Sequence, residues 1–191
     1  MREVVMIKTQ SKVTYKDYFA LPEGDTRQLI GGQFVDSPSP STGHQEVLLR
    51  LLRKLLQLED RGLGKPFCSP IDLYLSETEV YQPDLLFISK NNVSIIKEQC
   101  IRGAPDLIME VLSPGTAYYD LRHKKEVYQR KGVSEYWIVD PLEKSIELFS
   151  NIPDQDYVFS GMLKEGKTLR SSLIPELEYS WGEVFGFPGK S

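Results

Sequence analysis

The sequence predicts an α/β (α+β) fold: a central mixed sheet flanked by two long helices, with extra hairpins at both ends. Two observations lead there. Apolar, strand-like runs at residues 69–76, 80–89 and 105–113 lie between a leucine-rich helical stretch and a second, lysine-rich one. The order helix, strands, helix, strand packs most simply as a sheet covered by helices. The passage from 113 through the second helix into 136–139 then reads as a right-handed crossover. The 191 residues, 40 % hydrophobic and 26 % charged, are read as one domain over 1–191 with its core at about 42–150.

The elements follow in order. TYKDYFALP reads as a short helix, with Thr14 as N-cap and Pro22 as its stop. Residues 28–30 and 33–36 read as short strands around Gly31–Gly32, a tight hairpin turn. SPSPS at 37–41 is a linker. Leu48, Leu51, Leu52, Leu55 and Leu56 recur with helical period over 42–61, and Leu49 and Leu58 widen the stripe. Gly62 and Gly64 close that helix. The three strands come next, with a variable or mobile loop over 90–103. A helix over 118–131 ends at Gly132, and SEYWIVDP pairs with SIELFS through a turn at 141–144. In the tail, 157–160 and 167–169 flank a KEG turn, and 173–177 and 181–187 close the chain.

Charge excludes one class of function. A net charge of -4 and a sequence pI near 5.3 do not suit a protein that coats nucleic acid non-specifically. They leave room for a local basic patch. Cys68 and Cys100 form no disulfide framework or zinc site and read as buried small hydrophobes. No secretory signal or membrane-length apolar run is visible, so a cytoplasmic location is expected. No P-loop, dinucleotide fingerprint, serine elbow or Cys-x-x-Cys pair is present, and no organic cofactor is expected.

The chemistry is concentrated in carboxylates placed on strands. A buried carboxylate costs several kcal/mol unless it is compensated, and a metal ion is one compensation. With period two, Asp84 shares a face with Leu86 and Ile88, and Asp106, Ile108, Glu110 and Leu112 share another. Asp106 and Glu110 lie about 13 Å apart along a strand, too far for one ion. Glu110, next to the strand end, is the better partner for Asp84; two such carboxylates make a hard oxygen site suited to Mg²⁺. Asp106 either caps the strand start or pairs with Arg102. On the helix, Asp120, Lys124 and Tyr128 share a face. Lys124 either belongs to a solvated ladder or points over the strand ends, where it would hold water or neutralise a phosphoryl group. Arg122, Lys125, Arg130 and Lys131 form either a basic strip for a phosphate backbone or an ordinary solvated face. His44 shares the leucine stripe and is either a base or ligand-orienter, or a partly buried helix-start histidine. His123 is expected at the surface.

These blocks together, TYKDYFALP, QLIGGQFVDSPSPSTGH, YQPDLLFIS and GAPDLIMEVLSPGTAYYDLRHKKEVYQRKGVSEYWIVDP, resemble the Uma2 family, and the likeness covers nearly the whole chain. That family is similar to the PD-(D/E)xK nucleases. The resemblance implies a restriction-endonuclease-like core with a central four-stranded mixed sheet. It implies an endonuclease acting on DNA phosphodiesters with Mg²⁺, or alternatively Mn²⁺, and a homodimer. It places the motif acids on Asp84 and Glu110. Leu112 stands where the plain motif has lysine, so the lysine role passes to Lys124. Gln28 stands where relatives often have glutamate and becomes a candidate metal ligand through its carbonyl oxygen. Gly31 replaces a turn aspartate or asparagine. Tyr179, Trp181, Phe185 and Phe187 either supply a dimer interface or close the core. A non-catalytic nucleic-acid-binding or structural protein on the same fold is the competing expectation.

Overall fold

The computed structural model of the chain describes residues 12–22, 24–113, 119–152 and 155–186, and omits the side chain of residue 120. The expected helix start at 118, the expected position of Phe187 and the Asp120 side chain lie outside the described residues. In chain order the elements are α1 (Tyr15–Phe19), β1 (Gln28–Ile30), β2 (Gln33–Val35), α2 (Thr42–Asp60), β3 (Gly64–Cys68), β4 (Leu73–Ser76), β5 (Glu79–Tyr81), β6 (Leu85–Ser89), β7 (Ile101–Arg102), β8 (Leu107–Val111), α3 (Lys125–Lys131), β9 (Glu135–Asp140), β10 (Ser145–Ser150), β11 (Val158–Leu163), β12 (Thr168–Arg170), β13 (Glu178–Ser180) and α4 (Trp181–Phe185).

The central sheet is mixed, in the order β11-β10-β9-β8-β6-β3. The β8–β9 ladder is parallel, joined through α3; its neighbours are antiparallel. The mixed centre is therefore extended to six strands rather than four. Side chains alternate cleanly across it. Leu85, Phe87, Leu107, Met109, Val111, Trp137 and Val139 face α2 and the C-terminal tail. Leu86, Ile88, Ile108, Tyr136 and Ile138 face α3 and a second sheet of order β2-β1-β5-β4-β7. No described helix is long and apolar enough to cross a membrane.

Several elements differ from the sequence reading. The apolar run 80–89 is two strands in two sheets, because Pro83 has no N–H to give a ladder and the chain turns there. Gly64 opens β3 instead of closing α2; a Cβ there would meet the Ile88 carbonyl oxygen at 2.2 Å, so only glycine allows the strands to approach. The loop at 90–103 holds a 3₁₀ turn (Val93–Ile95) and β7, which pairs with β4. The KEG turn forms, but its arms separate: β11 extends the central sheet beside β10, and β12 pairs with β13. Leu49 and Leu56 are exposed, so the α2 stripe is narrower than its leucines imply. Cys68 is exposed and Cys100 half-buried, not the core hydrophobes expected. Tyr179 and Phe185 are buried in the core of the chain itself, with Trp181 packed on them.

Other local readings match. Thr14 and Asp17 form a capping box at α1. Gly31 and Gly32 take φ of 62° and 78°, the left-handed pair that a two-residue hairpin turn demands. Ser41, read as part of the linker, caps α2 by accepting from the His44 amide.

Candidate active site

Asp84 stands in the bend just before β6, not inside a strand. Antiparallel pairing of Leu85 with Met109 brings Asp84 to the end of β8 where Glu110 sits. Two hydrogen bonds close the pair: the Val111 amide donates to Asp84 Oδ2 (2.8 Å) and the Asp84 amide to Glu110 Oε2 (3.3 Å). His44 reaches the same carboxylate from the first turn of α2, with Nε2 3.2 Å from Asp84 Oδ2. Burial works against protonation of His44. The hydrogen bond and charge of Asp84, helped by the Val111 backbone and Glu110, outweigh it and raise the imidazole above its usual 6.5.

Glu110 is 2 % exposed and points to the α3 face with Ile108. Its Oε1 accepts from Lys124 Nζ (3.1 Å) and from the Tyr128 hydroxyl (2.8 Å). Lys124 is equally buried and lies over the Tyr81 ring, 5.8 Å from its centroid. Lys124 thus points over the strand ends and is not solvated. It lies at the end of a π-helical turn, Tyr119–Lys124, where the expected α-helix is widened before α3 begins. Burial and the Glu110 charge push the Tyr128 hydroxyl well above its ordinary pKa, so it remains a donor. Tyr128 was placed on the Lys124 face by its spacing, without a role; its contact with Glu110 adds it to the site.

Gln28, buried on β1, lines the same cleft. Its Oε1 accepts the Gln82 amide (3.0 Å) and its Nε2 donates to Ser37 (2.7 Å), so one lone pair of the carbonyl oxygen is already used. Asp106 sits at the other end of β8. It accepts from the amide and hydroxyl of Ser89 and from Asn92, the strand-start cap. Arg102 does not pair with it; the guanidinium stacks on Tyr74, 4.4 Å from the ring centroid. The basic strip is broken up. Lys125 folds half-buried over Phe149, while Arg122, Arg130 and Lys131 are exposed. His123 is one-third exposed and paired with Glu79, not a solvent-only side chain.

Asp84, Glu110, Lys124, His44 and Gln28 share one cleft of about 780 Å³, edged by the 37–41 linker and the turn at 140–142. As donors the two carboxylates fit a hard cation that retains most of its own water and needs only one or two protein carboxylates. Among the described residues no group of three or more His, Cys, Asp or Glu comes together as a metal cluster.

Sequence reasoning missed two buried acids. Glu135, 1 % exposed, accepts from Trp137 Nε1, the Ser171 hydroxyl and the amides of Ser172 and Leu173, and so ties the tail to the sheet. Glu79 accepts from the Gly31 amide (2.8 Å) and the Tyr81 hydroxyl (2.6 Å), and faces His123. Its alternation with Tyr81 was a usable signal.

Comparison with known proteins points one way. The family described as "Uma2: Putative restriction endonuclease" matches residues 15–182. A Synechocystis sp. protein, "Uncharacterized protein sll1609", is 24 % identical over 176 residues, covering 90 % of this chain and 99 % of its own. A crystal structure titled as "a putative nuclease belonging to DUF820 from Anabaena variabilis" superimposes with a TM-score of 0.75 at 18 % identity, over 91 % of this chain and 97 % of the other. At that identity the likeness is one of fold.

Proposed function

The chain belongs to the Uma2 family, within the PD-(D/E)xK-like nucleases, and on that premise we propose that it is a divalent-metal-dependent endonuclease that hydrolyses DNA phosphodiester bonds. The observation that carries this reading is the meeting of Asp84, Glu110, Lys124 and His44 in one cleft, from four separate segments. Asp84 and Glu110 would hold Mg²⁺ or Mn²⁺, with the remaining lone pair of Gln28 at the edge of the set. Such an ion, when bound, supplies Lewis acidity and a water of lowered pKa. The chain's own groups do the rest. His44 holds the Asp84 carboxylate in place through Nε2. Lys124 brings positive charge to the non-bridging phosphoryl oxygens, where charge builds during displacement. In the reaction a water oxygen loses one proton and bonds to phosphorus, the bond from phosphorus to the leaving sugar oxygen breaks, and the leaving oxygen takes up one proton, so protons balance.

A homodimer is part of the proposal, since duplex DNA offers two strands and one cleft serves each. A second reading, a nucleic-acid-binding protein without catalysis, is favoured by one observation: the Gln28 oxygen and Glu110 Oε1 are already occupied by protein donors. The test is cleavage of supercoiled plasmid and of single strands with Mg²⁺, Mn²⁺ or EDTA, for wild type, Glu110→Ala and Lys124→Ala. Metal-dependent nicking by wild type that falls sharply in both variants supports the proposal. Equal activity in all three proteins sinks it, and binding without cleavage favours the second reading.

A further inference from the structure

Lys124 is held at Glu110 by more than its own salt bridge. The residue before it, His123, places Nε2 3.2 Å from Glu79 Oε1. The ring beneath its ammonium, Tyr81, donates its hydroxyl to Glu79 Oε2 at 2.6 Å. Two supports of Lys124, one along the chain and one through space, therefore hang from a single carboxylate. That carboxylate is 8 % exposed and fixed in turn by the Gly31 amide at the β1–β2 turn. The π-helical turn at Tyr119–Lys124 makes the arrangement possible. A widened turn lets adjacent residues serve different partners, His123 the second sheet and Lys124 the central one, and such turns recur at functional sites.

We propose that Glu79 is the positioning residue of this cleft, aiming Lys124 at Glu110 through two arms, His123 and Tyr81. For catalysis the proposal rests on the endonuclease reading; the placement of Lys124 does not. Glu79 does not line the cleft, so its loss reaches the cleft through the groups it holds, His123, Tyr81 and the Gly31 amide. A misplacement of about 1 Å at a reacting centre lowers rates by up to roughly a hundredfold.

The experiment has two readouts. The first is acylation of Lys124 by an amine-reactive ester, followed by peptide mass spectrometry, with exposed Lys65 and Lys131 as internal controls. In wild type Lys124, 2 % exposed, resists labelling. In Glu79→Ala its labelling rises by roughly tenfold or more, the size expected of a local opening, while the controls do not change. His123→Ala and Tyr81→Phe each remove one arm and give smaller rises. His123 lies near the surface, so that variant keeps the test alive if Glu79→Ala fails to fold. The second readout is plasmid nicking. Glu79→Ala lowers kcat by roughly tenfold to a hundredfold with little change in KM, and adds nothing further in a Lys124→Ala background. Unchanged protection of Lys124 in both Glu79→Ala and His123→Ala overturns the proposal, as does full additivity with Lys124→Ala. If wild type does not cleave at all, the endonuclease reading fails and the labelling alone decides the role of Glu79.

Discussion

Lys124→Met is the sharpest probe of the cleft, because its effect on stability can be worked from the structure and does not depend on activity. Loss of a functional-site lysine often relieves strain and stabilises a protein. Here the opposite is expected. The side chains of Lys124 and Glu110 are each 3 % exposed, and their contact is 3.1 Å. Removing one member of a buried pair leaves the other charge unmatched, at a cost of about 3–5 kcal/mol. Glu110 still keeps the Tyr128 hydroxyl and the Asp84 amide, which places the loss near the lower bound, about 3 kcal/mol. At a urea m-value of about 3 kcal/mol/M for a chain of this size, the unfolding midpoint falls by about 1 M. Adding Glu110→Gln removes the stranded charge yet keeps an acceptor for Tyr128, so the double variant regains about 2 kcal/mol. The assay is equilibrium urea unfolding at pH 7 in EDTA, followed by circular dichroism. A loss below about 1 kcal/mol for Lys124→Met, or a double variant no better than the single, would refute a desolvated Lys124–Glu110 pair.

Three further outcomes follow from other contacts. Glu135→Ala strands the donors of Trp137, Ser171, Ser172 and Leu173 and costs more than about 3 kcal/mol, read as a fall in Tm of more than about 6 °C. At 10 mM Mg²⁺, a site with a dissociation constant of about 1 mM raises Tm by about 3–5 °C, and Asp84→Asn abolishes the rise; an equal rise in both proteins counts against the carboxylate site. In EDTA, the raised His44 pKa stabilises the fold fully below its unfolded value of about 6.5, and that contribution is lost as pH rises through the folded value. The stability gap between wild type and His44→Gln therefore narrows from pH 6 upward, and a gap that widens contradicts the His44–Asp84 pairing.

Periodicity was enough for much of this. Alternation along β8 put Glu110 on the Ile108 face and Asp106 too far away to share its site, and both placements hold. The leucine stripe of α2 carried His44 inward with Leu48, Leu51 and Leu55. The Gly31–Gly32 pair announced its turn, and Thr14 announced its cap. These are local rules, each set within a few residues by the backbone geometry of one element.

The partners were not legible. Residues 80–89 look like one strand because apolar residues flank Pro83 on both sides. Pro83 breaks the run, and the competing ladders of β4 and β8 send Tyr81 to one sheet and Leu85 to another. The same applies to Glu79. Nothing in its neighbourhood shows that His123, forty-four residues away, will share its carboxylate with Tyr81 and Gly31. The sequence by itself determined the α2 stripe, the Gly31–Gly32 turn and the face that Glu110 takes, since side-chain direction follows from the local backbone. Tertiary structure alone decided which donors satisfy the buried acceptors: Lys124 and Tyr128 on Glu110, His44 and Val111 on Asp84, Gln82 on Gln28. A buried polar group must be paired, and its partner is whichever donor the packing of distant segments brings within about 3 Å.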